Sequence, residues 1–135
     1  MEPTNHTYAI CAYKESPYLE ECIQSLLQQS IKTNIIMTTS TPGEFIQNIA
    51  DKYRIPLYIR DGMSDIRDDW NFAYDQAATD WVTIAHQDDM YDMDYVKELL
   101  KVITKNDQAA AFLSDYLPVK NGQVGPRDIN SKIRR

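Results

Sequence analysis

The stretch YAICAYKESPYLEECIQSLLQQS, residues 8–30, carries a strand signal followed by a helix signal. The run 8–12 is short, apolar and followed by polar residues, which is typical of a buried strand. A helical segment follows over 16–29 and starts with a Ser-Pro pair, so we expect Ser16 to cap that helix and Pro17 to be its first residue. The stripe consists of Leu19, Cys22, Ile23, Leu26 and Leu27. The stretch predicts one strand-helix unit.

The same alternation continues outward from this unit. We expect further strands at 34–38, 55–59, 81–85 and 109–115, and helices at about 41–53, 64–78 and 92–106. Thr41 and Glu44 stand at capping-box spacing before the second helix. Alternation of five strands with four helices favours an α/β fold, a mostly parallel sheet with helices on both faces. Ligands of such sheets bind at the carboxyl ends of the strands.

The composition and charge of the chain restrict the classes of protein to which it can belong. A chain of 135 residues with 43% hydrophobic residues suits one domain with a real core. Its formal net charge of -6 excludes a non-specific nucleic-acid binder, which needs a basic stripe. The start of the chain lacks signal-peptide character and no apolar run reaches the roughly 20 residues of a membrane span, so we predict a cytoplasmic protein. Cys11 and Cys22 lack metal or disulfide spacing, which predicts reduced core thiols.

The pattern changes after residue 117. The segment LPVKNGQVGPRDINSKIRR, residues 117–135, holds an Asn-Gly hairpin signal and then a polar tail without a strong period. We therefore interpret residues 1–117 as one α/β domain and residues 118–135 as a hairpin-like segment with a polar tail.

The stretch HQDDMYDMDY, residues 86–95, gathers four aspartates after the fourth predicted strand. In an extended strand, side chains two apart point the same way, so His86 and Asp88 should share one face and Gln87 and Asp89 the other. A carboxylate with an imidazole can hold a divalent cation and leave positions open for water and phosphate oxygens; the imidazole favours Mn²⁺. Without a cation, a carboxylate about 4 Å from a phosphate is repelled by roughly 4 kcal/mol at an effective dielectric of about 20.

An alternative reading of these acids needs no ligand. Asp89, Asp92 and Asp94 precede the fourth predicted helix, where aspartates cap the first turn and complement the helix dipole. The local residues leave both interpretations open.

Two blocks of the sequence resemble family 2 glycosyltransferases. Residues 8–30 are similar to the family's opening, in which a strand leads into a Tyr-Asn-x-Glu-like turn and a helix. The block WNFAYDQAATDWVTIAHQDDMY, residues 70–91, is similar to the segment that carries an Arg-Asn pair and an Asp-x-Asp-Asp motif. Together they cover nearly all of 8–115. The resemblance implies a GT-A fold that binds a nucleotide diphosphate sugar, here truncated after the fifth strand, with 118–135 beginning the acceptor-binding part.

The resemblance also implies residues of a nucleotide-sugar site. Ala12, Tyr13 and Glu15 would line the nucleotide pocket after the first strand. Thr38 and Thr39 stand where the family commonly has an Asp-Asp pair, one member of which recognises the base. Threonine can hydrogen-bond a base edge but adds no charge.

The second block also departs from the family's motifs. Asn71 matches the motif asparagine, whereas Trp70 replaces the arginine and removes a phosphate-binding cation. At the Asp-x-Asp-Asp motif, Asp88 matches the metal-binding aspartate, and His86 and Asp89 are further candidate ligands of Mn²⁺ or Mg²⁺. His86 and Gln87 are also expected in the nucleotide-sugar site.

The function implied by the resemblance is glycosyl transfer. The donor would be a UDP-sugar or another nucleotide sugar, and the acceptor a carbohydrate or lipid-linked molecule, in polysaccharide or glycoconjugate synthesis of the bacterial type. An inverting mechanism with metal-assisted departure of the diphosphate also needs a carboxylate base. Beyond residue 114 the sequence offers only Asp115, the weak candidate, and Asp128, so we expect little transfer by these 135 residues alone.

Other classes stay open at this point. They are a non-catalytic nucleotide-sugar binding module and a metal-dependent phosphohydrolase. Peripheral membrane association through further segments is also compatible with the resemblance.

Overall fold

The computed structural model describes residues 4–105, 119–120 and 123–124. The chain divides into two compact units, Met1–Leu100 and Lys101–Arg135. The elements of the main alternation are β1 His6–Ala12, α1 Leu19–Leu27, β2 Asn34–Thr39, α2 Glu44–Tyr53, β3 Leu57–Ile59, α3 Ile66–Gln76, β4 Trp81–His86 and α4 Tyr95–Lys105. None of the helices in the described ranges is long and apolar enough to cross a membrane.

The four strands of the first unit form one parallel sheet in the order β3-β2-β1-β4. Strand β1 lies between β2 and β4, and its Tyr8 pairs with Ile35 on one side and Thr83 on the other. The predicted mostly parallel α/β sheet is therefore confirmed. The fifth strand expected at 109–115 lies outside the described residues.

Helices cover both faces of the sheet. On one face, Tyr8 and Ile10 of β1 join the larger core cluster, to which α1, α2 and α4 also contribute. On the opposite face Ala9 packs near Ala73 of α3 in a much thinner layer. The alternation of Tyr8, Ala9 and Ile10 between faces is the period-two pattern of a strand. Because α3 buries only Ala73, most of its large side chains stay near the surface.

Two helix starts differ from the sequence predictions. Helix α1 begins at Leu19 with Tyr18 at its N-cap position and without a side-chain cap. Ser16 lies two residues before that position, where its Oγ accepts from Tyr18 N at 3.2 Å and donates to Asp88. Helix α2 has Gly43 at its N-cap position, also without a side-chain cap, and Thr41 Oγ1 accepts from a loop amide instead. Both capping predictions were wrong, because these hydroxyls connect loops at the sheet edge.

The second unit contains one described hairpin. Strand β5, Val119–Lys120, pairs antiparallel with β6, Gln123–Val124, on either side of the Asn-Gly signal. The predicted boundary between 117 and 118 falls outside the described residues.

Candidate active site

A cleft of about 460 Å³ opens at the carboxyl edge of the parallel sheet. Each of the four strands ends at this cleft, and α3 with the loop before it forms the remaining wall, which is the arrangement expected for ligand sites of open α/β sheets. The residues at the strand ends are Ala12, Tyr13, Thr38, Thr39, Ser40, Arg60, His86, Gln87 and Asp88.

Two side chains connect the end of β4 to the loop after β1. Gln87 accepts from Tyr13 N at 3.0 Å through Oε1 and donates to Tyr13 O at 2.9 Å through Nε2. Ser16, which is buried, donates from Oγ to Asp88 Oδ1 at 2.7 Å. These bonds hold Tyr13 and Asp88 in the same cleft although 75 positions separate them in the sequence.

The prediction that the Gln87 side chain lies on the face opposite His86 and Asp88 was wrong. The strand ends at His86 and the chain turns, so that His86, Gln87 and Asp88 all line the cleft. Asp89 lies outside the lining, and its backbone N–H donates to His86 O at 3.0 Å. A turn does not preserve the two-residue period on which the prediction relied.

Two other predicted residues lie away from the cleft. Glu15 lines a neighbouring cavity of about 560 Å³ beside the start of α2. Counted from Tyr13, the fourth position of the Tyr-Asn-x-Glu turn is Ser16, and this is the side chain that reaches Asp88. Asn71 is exposed on α3, and the cleft is lined there by Trp70 and its neighbours. Asp115 and Asp128 lie outside the described residues.

Arg60 is a cleft residue that was not among those predicted from the sequence. This residue follows β3 directly and lines the cleft. Its Nε donates to Asp69 Oδ1 at 2.8 Å, and both side chains are largely buried, with 17% and 21% of their surfaces exposed. A charged residue immediately after a predicted strand was the available signal, because that position lies at the carboxyl edge.

The two departures from the second family motif contact each other. Trp70 and His86 have ring centroids 5.0 Å apart at an interplanar angle of 48°. Both line the cleft, and the indole keeps 42% of its surface exposed. An aromatic pair therefore stands where the motifs would place an arginine and an aspartate.

The two cysteines near the cleft are free thiols that stay protonated. Burial, together with the smaller effect of the negative charges of Asp89 and Asp88, raises the pKa of Cys22 to about 12. Burial also raises the pKa of Cys11, with a smaller opposing effect from its hydrogen bond with Thr38. Because the thiolate is the nucleophilic form, neither thiol is suited to nucleophilic chemistry at neutral pH.

Comparison with known proteins decides the family. The model of glycosyl transferase family 2 matches residues 7–133. The chain belongs to glycosyl transferase family 2. No curated protein matches this family 2 glycosyltransferase chain.

Solved structures similar to this family 2 chain share its fold. Crystal structures of S. aureus TarS 1–349 alone and in complex with UDP have TM-scores of 0.69 and 0.68, 17% identity, and cover 90% of this chain and 38% of theirs. A structure of S. aureus TarS has a TM-score of 0.68 and 18% identity, and the match covers 90% of this chain and 23% of that one. The chain thus spans at most 38% of these relatives, and the likeness supports the predicted GT-A-like fold.

Proposed function

We propose that the cleft binds a nucleoside diphosphate sugar and that the protein transfers the sugar, with inversion, to a carbohydrate or lipid-linked acceptor. The observation that carries the proposal is the convergence of Tyr13, Thr39 and Asp88 in one cleft of a family 2 chain. The cleft volume of about 460 Å³ suits a ligand of this size. Polysaccharide or glycoconjugate synthesis is the process that such a transfer would serve.

The sheet order suggests how the ligand lies. Arg60 follows β3 at one edge of the sheet, and Asp88 follows β4 at the other. With strands about 4.8 Å apart, the two ends of the cleft are separated by about 14 Å, comparable to an extended nucleoside diphosphate. The exposed ring of Tyr13, after the strand next to β4, offers a surface on which a planar group can stack.

A divalent cation at Asp88 is part of the proposal. Within the described ranges no group of three or more His, Cys, Asp and Glu side chains could hold a metal ion. Asp88 Oδ1 accepts from Ser16, which leaves Oδ2 to bind an ion. One carboxylate is enough for Mg²⁺ or Mn²⁺ when diphosphate oxygens and water supply the other ligands. His86, which lines the same cleft, is a further candidate ligand. Such an ion, when bound, neutralises charge on the departing diphosphate.

The other cleft residues act by positioning. The paired hydrogen bonds of Gln87 hold the Tyr13 backbone, and buried Thr38 and Thr39 form the floor of the cleft at the end of β2. The acceptor hydroxyl requires a carboxylate base. Asp115 and Asp128, the candidates for that role, stay predictions.

Calorimetric titration with UDP and GDP, with and without Mn²⁺, tests the proposal. We expect binding that requires the metal, and slow release of nucleoside diphosphate from sugar nucleotides when water takes the place of a positioned acceptor hydroxyl. No binding in either condition would contradict the proposal, and binding without turnover would favour a non-catalytic module. Phosphate release from simple esters would favour a phosphohydrolase.

Ser16→Ala is expected to weaken Mn²⁺ binding in the presence of UDP by roughly tenfold, because Asp88 loses the hydrogen bond that orients its carboxylate. Ser16→Thr keeps the hydroxyl and should retain most of the affinity. Electron paramagnetic resonance of free Mn²⁺ measures the change directly. Equal Mn²⁺ affinity of the alanine variant and the wild type would show that Ser16 does not position Asp88.

A further inference from the structure

Lys14 has a backbone conformation that residues with a side chain rarely adopt. Its φ of 52° lies in the left-handed region, which favours glycine and, less strongly, asparagine. Counted from Tyr13, position 14 is the asparagine of the Tyr-Asn-x-Glu-like turn, so a lysine stands where the motif has a residue that tolerates this conformation better. Lys14 N donates to Thr41 Oγ1 at 2.8 Å, which holds the strained backbone in place. Strain at this position points to a role for the lysine side chain.

The loop that carries Lys14 is joined at two points to the turn after β4. Tyr13 N and O bond to the side chain of Gln87, and Ser16 Oγ donates to Asp88 Oδ1. Lys14 lies between Tyr13 and Ser16, so its backbone is held beside the carboxylate at which the diphosphate is proposed to bind. Lys14 lines the cavity beside the start of α2, and its Nζ lies 5.1 Å from the centroid of the Tyr13 ring. Because Tyr13 lines the cleft, the ammonium lies at the boundary between that cavity and the cleft.

The cleft itself has little positive charge. Among its described lining residues Arg60 is the single Lys or Arg, against the carboxylates of Asp65, Asp69 and Asp88. Arg60 is paired with Asp69 at 2.8 Å, so it attracts a phosphate less than a lone arginine would. Trp70 stands where the motif has a phosphate-binding arginine. A divalent ion at Asp88 would balance the excess of carboxylates in the lining and leave the negative charge of a diphosphate uncompensated.

We propose that Lys14 supplies the missing cation, its ammonium moving from the Tyr13 ring onto the diphosphate when a nucleotide binds. This inference rests on the proposed function. A lysine carries its charge on a flexible four-carbon stem, so the ammonium can change partner while the backbone stays in place. The change is favourable because a charge-assisted hydrogen bond to a phosphate oxygen is stronger than an exposed cation–π contact. It also uncovers a face of the Tyr13 ring, on which a planar group can stack.

Calorimetric titrations of UDP and of GDP with Mn²⁺, at low and at high salt, test the inference. Lys14→Met keeps the length of the side chain and removes its charge. Its dissociation constants should rise roughly tenfold at low salt and should depend less on salt than those of the wild type. Lys14→Arg keeps the charge and should retain most of the affinity. Lys32→Met is the matched control and should bind as the wild type does, because Lys32 is exposed before β2, at the amino edge of the sheet.

Lys14→Gly separates binding from folding. Glycine adopts a φ of 52° without steric cost, so this variant should resist thermal unfolding at least as well as Lys14→Met. Its affinity for the diphosphates should nevertheless fall by a similar factor, because it also lacks the ammonium. A role of Lys14 in the fold alone would change stability and affinity together.

Unchanged dissociation constants in Lys14→Met would overturn the inference. A loss of affinity with the same salt dependence as the wild type would also overturn it, because this result identifies an effect on the Tyr13 ring and not a phosphate contact. If the wild type binds neither diphosphate, the proposed function fails as well, so the two failures are distinguishable.

Discussion

Replacing Asp88 with alanine is expected to abolish the dependence of nucleoside diphosphate binding on divalent metal. The variant removes the carboxylate proposed to hold the ion, while Ser16 and the turn after β4 remain. Loss of an outer group that orients a metal ligand typically costs 10- to 100-fold, so loss of the ligand itself should raise the UDP dissociation constant in Mn²⁺ roughly 100-fold or more. Calorimetric titrations with and without Mn²⁺ measure this change.

Asp89→Ala is the matched control for this prediction. It removes the same charge at the next position, but Asp89 lies outside the cleft lining and should leave the metal dependence intact. Circular dichroism of both variants establishes that the fold is retained. A metal dependence that survives in Asp88→Ala, or disappears equally in both variants, would contradict the assigned role.

Acidification is expected to destabilise the fold through His6, far from the cleft at the amino end of β1. This imidazole is fully buried, with Nδ1 2.7 Å from Thr33 Oγ1 and Nε2 2.7 Å from Thr83 Oγ1. Thr33 Oγ1 donates its only proton to His6 O, so it can act only as an acceptor towards Nδ1. The proton of the neutral ring therefore lies on Nδ1. Burial lowers the pKa of His6 from 6.5 to about 4, because the interior disfavours the charged ring.

The direction of the effect follows from this depressed pKa. Above pH 6.5 the His6 ring is neutral in both folded and unfolded chains, and the fold has its full stability. As the pH falls from 6.5 towards 4, the unfolded chain binds a proton that the folded chain excludes. A pKa difference of this size corresponds to about 3 kcal/mol of unfolding free energy, lost in full below pH 4.

Urea unfolding of the wild type and of His6→Gln between pH 7.5 and pH 4.5 measures this loss. The wild type should lose more stability over that range than His6→Gln, whose side chain does not titrate. His86→Gln is the control, because His86 is the other histidine of the chain and is exposed. Parallel pH profiles of the wild type and His6→Gln would show that His6 does not carry the effect.

Much of the fold could be predicted because its signals are local. The apolar run of β1 and the stripe that follows specify a strand and a helix whatever lies around them, and the parallel sheet follows from repeating that unit. Tyr13, Thr39 and Asp88 could be placed at one edge because each comes after a strand. The helix starts could not be placed, because the hydroxyls of Ser16 and Thr41 bond to residues distant in sequence.

The sequence by itself therefore determined the elements, their order and the edge that carries the cleft. Only the tertiary structure decided which side chains meet there. Strand β3 lies at the edge beyond β2, and α3 packs across the sheet, which brings Asp69 against Arg60 and Trp70 against His86. The physical reason is that periodicity sets the face of an element, whereas contacts between elements depend on strand order and on the path of loops, where neither the helical nor the strand period applies.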